Sequence, residues 1–284
     1  MSVEFPIVLL CDVLEISRSS FYEWKAGLTY QDNCKQQMIE MRTIAVFWEN
    51  KRRYGARRVA AALQQQDVPL SLYKARRVLK RNGLTAIQPR SFVPKTTNSK
   101  HAYFMSPNLL LDRPFPKAMN EVWVGDITYI PLVNSRFCYL SVWMDLYSRR
   151  IIGWALMPHM RELIVITAFK RARKKRKINP GLIVHSDRGG QYAGNDFRRL
   201  LESDKILQSM SRADNPYDNA FMESCFSRFK AELIQNGAFE SIEDARIEIT
   251  EFIDGYYNTK RIHSSLGYMS PINYELVSQK TSKK

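Results

Sequence analysis

Residues 122–147 read VWVGDITYIPLVNSRFCYLSVWMDLY, and this stretch decides the fold. Val, Ile, Tyr, Trp and Leu crowd both halves, while Asn134 and Ser135 between them have turn chemistry. The expectation is two strands, 122–132 and 136–147, joined as a hairpin. Beyond them a third strand is expected over about 150–157 and a helix from Glu162 to about Lys177. A strand over 182–186, a helix over 195–203, a short strand near Gln208 and a long helix from Pro216 to about Ile234 complete the run. The order β-β-β-α-β-α-β-α implies an α/β unit on a mixed five-stranded sheet.

The N-terminal third is different in kind. An apolar stretch from Pro6 to Leu14 is followed by Ser20 and Glu23 at capping-box spacing, so a small helical pair is expected there. A second pair is clearer: 55–66 places Val59, Ala62 and Leu63 on one face, and 71–82 does the same with Leu72, Ala75, Val78 and Leu79. Gly83 supplies a C-cap. The residues between, 66–70, have the length of a helix-turn-helix connection, and the second helix carries Lys74, Arg76, Arg77, Lys80 and Arg81. A basic face directed at phosphates and an ordinary solvated face both fit that helix, and two such pairs in a basic chain favour the first. The organisation expected is a helical DNA-binding region over 1–85, a Pro-rich linker over 86–118, the α/β unit over 119–275 and a basic tail over 276–284.

Charge narrows the partner. Among 284 residues, 43 Lys and Arg against 28 Asp and Glu give +15, an excess that favours a polyanion because each neutralised phosphate releases condensed counterions. Nucleic acid and an anionic membrane surface both qualify. No apolar run approaches the roughly 20 residues needed to span a bilayer, and the N-terminus does not read as a secretory signal, so a cytoplasmic location and no membrane partner are expected. Cys11, Cys34, Cys138 and Cys225 stand alone, which argues against a disulfide framework or a zinc site.

Three carboxylates stand out. Asp126 interrupts a run of strand formers with apolar neighbours on both sides, an expensive place for an unpaired charge. Asp187 ends the fourth expected strand, at the sheet edge where open α/β folds place ligands, and Gly189 and Gly190 let the chain turn after it. Glu223 lies on the later helix seven residues before Lys230, so the two project from one side. Separately each has a bland reading: a solvent-facing strand residue, a β-turn and an exposed helix pair. Together they form an acidic cluster that a divalent cation would have to hold, and Mg²⁺ suits all-oxygen ligands. Two such ions about 3.5 to 4 Å apart can activate an attacking hydroxyl and stabilise the leaving oxygen of a phosphodiester.

The element order, with 35 residues between Asp187 and Glu223, resembles the ribonuclease-H-like core of retroviral integrases and DDE transposases. More narrowly, the chain resembles the second reading-frame product of the IS3 family of bacterial insertion-sequence transposases. The segments that carry the likeness are WVGDITYI (123–130), DLYSRRIIGW (145–154), HSDRGGQY (185–192), NPYDNAFMES (215–224) and YNTKRIHSSLGYMSP (257–271). Arg53, Tyr54 and Gly55 with the helices after them resemble the family's helix-turn-helix, which brings Arg57 and Arg58 into the candidate DNA surface.

The resemblance implies catalysis and metal binding by Asp126, Asp187 and Glu223, with two Mg²⁺ ions for which Mn²⁺ substitutes. It implies nicking at the element's ends and transfer to the freed 3′-hydroxyl without a covalent protein intermediate. Lys230, Tyr217, Asn219, Arg261 and His263 would lie near DNA. The implied partners are duplex DNA with terminal inverted repeats, target DNA, further copies of the chain as a dimer or higher homo-oligomer, and an upstream reading-frame product, at the bacterial nucleoid. A DNA-binding repressor and a hybrid-cutting ribonuclease are the rival readings. His185 and Asp145 read as structural. For the seven basic residues among the eight from Lys170 to Lys177, a grip on target DNA is favoured over a solvated helix end.

Overall fold

The structure, a computed structural model, describes residues 5–27, 34–88, 104–133, 135–212, 219–235 and 237–281. The chain divides into two compact units, 1–86 and 87–284.

The first unit is all α: α1 (Ile7–Val13), α2 (Arg18–Lys25), α3 (Cys34–Glu49), α4 (Ala56–Gln64) and α5 (Leu72–Arg81). Val59 and Leu63 of α4 and Ala75 and Leu79 of α5 are buried with Phe47 of α3, as their spacing predicts. Ser71 caps α5 by accepting the Lys74 amide. At its other end Gly83, at φ +64, donates to Lys80 while Leu84 donates to Leu79, a Schellman closure. The cap of α2 differs from expectation. Ser17, not Ser20, takes the extended cap conformation, and its hydroxyl accepts the Ser20 amide, so Ser20 sits inside the first turn.

The second unit is a five-stranded mixed sheet in the order β3-β2-β1-β4-β5. Its strands are β1 (Val122–Leu132), β2 (Arg136–Asp145), β3 (Ile151–Met157), β4 (Ile183–Ser186) and β5 (Leu207–Met210). The first three pair antiparallel, and β4 joins β1 in parallel with Val124 opposite His185. Alternation along β1 sends Val122, Val124 and Ile130 to one core and Trp123 to the other. The first core is covered by α9 (Ala220–Phe229), α10 (Ile242–Thr250) and the π-helical segment Glu251–Tyr257; the second by α6 (Glu162–Lys175), the short α7 (Gly190–Ala193) and α8 (Asn195–Ser203). Gly125 is required where it stands, because a Cβ there would lie 2.5 Å from the Trp143 ring.

Three expected boundaries change. Residues 104–118 are not free linker: Leu109 donates to the Ser209 hydroxyl, the Met210 amide donates to Pro107, and Met105, Leu109 and Leu110 pack on the two cores. Apolar side chains among the prolines dock this stretch, while 89–103 lie outside the described residues. The expected basic tail from 276 is helical as far as Thr281, within α11 (Pro271–Thr281), whose Glu275 is buried. The long helix is α-helical only to Phe229; Lys230–Ile234 form a π-turn closed by the Gln235 amide on the Lys230 carbonyl, and 213–218 lie outside the described residues.

Candidate active site

Asp126 shares its strand face with Val122, Val124 and Ile130, so alternation aims it at the α9 side of the sheet. Val124 pairs with His185 of the parallel strand β4, and Asp187 directly follows the last residue of β4, as far beyond His185 in sequence as Asp126 is beyond Val124. Ile183 of β4 lies in the α9-side core, and Asp187 follows where the strand ends at Ser186. On α9, Met222, Cys225, Phe226 and Phe229 turn into that core, leaving Glu223 exposed on the helix flank and Lys230 half-buried. The Asn219 side-chain amide donates to the Gly125 carbonyl at 3.4 Å and ties the start of α9 to the residue before Asp126.

Backbone amides orient the two aspartates. Ile127 N–H donates to Asp126 Oδ1 at 2.7 Å, and Gly189 N–H to Asp187 Oδ1 at 3.0 Å. A Cβ on Gly189 would come within 3.1 Å of that same oxygen. Asp126 is held well above the usual carboxylate range, first by burial and then by the charges of Asp187 and Glu223; the Ile127 amide and Lys230 oppose the rise. Burial lowers Lys230 below an ordinary lysine, against the pull of Asp126.

This is a pocket of negative charge with one opposing ammonium, and its donors are all carboxylate oxygen. Such a donor set suits a hard divalent cation. As the side chains lie, no three His, Cys, Asp or Glu among the described residues stand close enough to ligate one ion together. Glu223, exposed on its helix, is the member with room to turn toward the pair.

Tyr192 ends the segment 185–192 that also carries Asp187. It is buried, and Asp126 and Asp187 add to the burial that raises its pKa well above that of a free tyrosine. His185 is fully buried between the Ser209 and Ser211 hydroxyls and joins β4 to β5, a structural placement. Asp145 is likewise buried, accepting the Asn120 and Ser148 amides.

The remaining candidates separate by exposure. On α5, Lys74, Arg76, Arg77 and Lys80 are exposed, with Arg77 over the Tyr73 ring; Arg81 is 3.7 Å from Glu40. Arg57 is exposed, whereas Arg58 lies over the Tyr54 ring and donates to the Arg53 carbonyl. Tyr217 lies outside the described residues.

Arg261, which the family resemblance places near DNA, is engaged within the protein. It is 3% exposed, and its guanidinium is bound at both ends of the Glu232 carboxylate, at 2.9 and 2.7 Å, with His263 beside it at 3.2 Å. Burial alone would lower its pKa, but Glu232 more than offsets that. The Lys170–Lys177 run is also partly committed: Arg171 donates to the Trp154 carbonyl, Arg173 pairs with Asp204, and Arg176 pairs with Glu275. Lys170, Lys174 and Lys177 are exposed.

Residues 116–216 and 204–271 each match an integrase core domain, and 35–92 match an HTH-like domain. The chain is 39% identical to the transposase for insertion sequence element IS904 of Lactococcus lactis subsp. lactis (strain IL1403), over 85% of this chain and 94% of that one. It is 36% identical to transposase InsF for insertion sequence IS3A of Escherichia coli (strain K12), over 96% of this chain and 94% of that one. The catalytic core domain of BIV integrase aligns with a TM-score of 0.43 at 19% identity, covering 58% of this chain and 99% of that structure. The chain therefore belongs to the IS3 family of insertion-sequence transposases, within the DDE superfamily of polynucleotidyl transferases.

Proposed function

We propose that this transposase nicks DNA at the ends of its insertion sequence and transfers the freed 3′-hydroxyl to a second phosphodiester, with Asp126, Asp187 and Glu223 as the catalytic and metal-holding residues. The observation that carries this reading is that Asp126 on β1, Asp187 just past β4, and Glu223 and Lys230 at α9 lie near enough for the charges of the other three all to reach Asp126.

A divalent cation, Mg²⁺ with Mn²⁺ as substitute and two ions in the working site, supplies Lewis-acid stabilisation of charge on the phosphodiester when bound. The Ile127 and Gly189 amides orient the carboxylates of Asp126 and Asp187 by holding one oxygen of each. Lys230 meets a phosphate of the terminal DNA, and Asn219 lies near the same strand end. In the N-terminal unit the exposed side of α5, with Lys74, Arg76, Arg77 and Lys80, and Arg57 at the start of α4, holds phosphates flanking the inverted repeat. Holding two ends at once calls for a dimer or higher homo-oligomer on DNA, alone or with the upstream reading-frame product, working at the nucleoid of a bacterial cytoplasm.

The test is a nicking and strand-transfer assay in Mg²⁺ or Mn²⁺ on labelled duplex carrying the repeats that flank the gene, comparing wild type with Glu223→Gln. Joined products that vanish in the variant support the reading. End binding without cleavage by the wild-type chain, with the upstream product supplied, would replace it with a repressor.

A further inference from the structure

Lys230 stands at the junction where α9 gives way to the π-turn Lys230–Ile234. Its carbonyl accepts the Gln235 amide at 3.1 Å, the bond that closes the wider turn. Two residues on, Glu232 is 2% exposed and accepts from Arg261 at both carboxylate oxygens; Arg261 arrives from the far end of the chain with His263 on its third nitrogen and the Tyr257 ring 5.5 Å beneath it. Among the described residues this is an ion pair with both side chains only 3% exposed.

A pair so completely removed from water contributes little net stability compared with apolar side chains of like volume, because desolvation consumes the Coulomb gain. What a two-pronged guanidinium–carboxylate bond does supply is direction. It fixes the rotation of the π-turn about the helix axis, and Lys230 is the first residue of that turn.

We infer that Arg261 and Glu232, with His263 behind them, are positioning residues that hold the π-turn in the phase that aims Lys230 at the Asp126 side of the site. The motif around Arg261 thus acts on DNA through Lys230 and does not touch phosphate itself. This rests on the reading of Lys230 as a phosphate contact, and the experiment separates the two.

The measurement is the salt dependence of full-length protein binding to a labelled duplex carrying the terminal repeats. Each lost phosphate contact flattens the plot of log K against log salt by about 0.9. Lys230→Ala is expected to flatten it by that amount. Glu232→Met combined with Arg261→Met removes both charges together, so it is expected to keep the wild-type melting temperature within a few degrees while flattening the slope equally. Adding Lys230→Ala to that pair should flatten it no further. A double-Met protein that melts normally and keeps the wild-type slope overturns the positioning role, as does an additive loss on adding Lys230→Ala. An unchanged slope in Lys230→Ala alone overturns the phosphate contact instead, and the positioning role with it. Should the double-Met protein not fold, Arg261→Lys keeps the buried charge and loses the fork; it must flatten the slope, and a wild-type slope there also overturns the inference.

Discussion

Asn219 reaches from the first turn of α9 to the carbonyl of Gly125, and through that single 3.4 Å bond the helix that carries Glu223 is tied to the strand residue preceding Asp126. Glu223 lies one turn beyond Asn219, so the bond sets the approach of the third carboxylate to the first. Asn219 is buried, and its side-chain oxygen has no partner among the described residues.

Removing it separates stability from function. Asn219→Ala loses one hydrogen bond, about 1 kcal/mol, a shift of a few degrees in melting. Strand transfer is expected to fall by about tenfold to a hundredfold, as when a group orienting a metal ligand is removed. A variant that melts lower yet transfers strands at the wild-type rate would show that this bond does not position Glu223.

The aspartates make the opposite trade. Asp126 is partly buried and close to two like charges, so Asp126→Asn is expected to raise the melting temperature in metal-free buffer. The same change should lower strand transfer by about a thousandfold, roughly 4 kcal/mol of transition-state stabilisation, with end binding retained. Calorimetry and a joint-molecule assay on one preparation check both halves.

Gly125→Ala puts a methyl group 2.5 Å from a ring carbon of Trp143, itself fully buried. Overpacking of this kind costs about 1 to 3 kcal/mol, and β1 has to shift to accept it. Urea unfolding is expected to show that loss, with activity lost alongside because Asp126 is the next residue.

Burial pushes the Cys138 thiol up to about 11. An unfolded cysteine ionises near about 8.5, so the folded state keeps a proton that the unfolded state releases between those values. The contribution is fully present below about pH 8.5 and is lost as pH rises toward about 11. Unfolding free energy should therefore drop more steeply from pH 8 to 10 in the wild type than in Cys138→Ala; parallel curves would contradict the burial.

The basic residues of the N-terminal unit divide into two groups. Lys80→Ala, on the exposed side of α5, should flatten the salt dependence of DNA binding by about 0.9 without altering melting. Arg58→Ala loses its seat over Tyr54 and its bond to Arg53, so its effect should appear in thermal stability instead.

What the sequence disclosed follows from the range of the interactions involved. The β1–β2 hairpin, the α6 start at Glu162 and all of α8 rest on local periodicity, and they stand where the pattern put them. The three carboxylates are legible as candidates because each is marked locally, Asp126 on β1, Asp187 just past β4 and Glu223 on α9. The Ser17 cap was missed because Ser17, Ser19 and Ser20 offer three similar hydroxyls within one turn, and only the backbone shows which lies outside the helix. The docking of 104–118 has no local signal, because the prolines of this stretch mark extended chain and the few apolar side chains that dock it, Met105, Leu109 and Leu110, have no period. Two features left no local signal at all. The π-turn at Lys230 has no hydrophobic period of its own, and the bond from Arg261 to Glu232 spans 29 positions, so the Arg261 motif looked like a DNA contact.

The most direct test of the central claim is sulfur substitution at the scissile phosphate of the terminal duplex, with strand transfer measured in Mg²⁺ and in Mn²⁺. If the carboxylates hold cations against that phosphate, replacing a non-bridging oxygen should suppress transfer in Mg²⁺, and the more thiophilic Mn²⁺ should restore it. Equal rates in the two metals, or transfer that persists in excess chelator, would contradict a metal site at Asp126, Asp187 and Glu223.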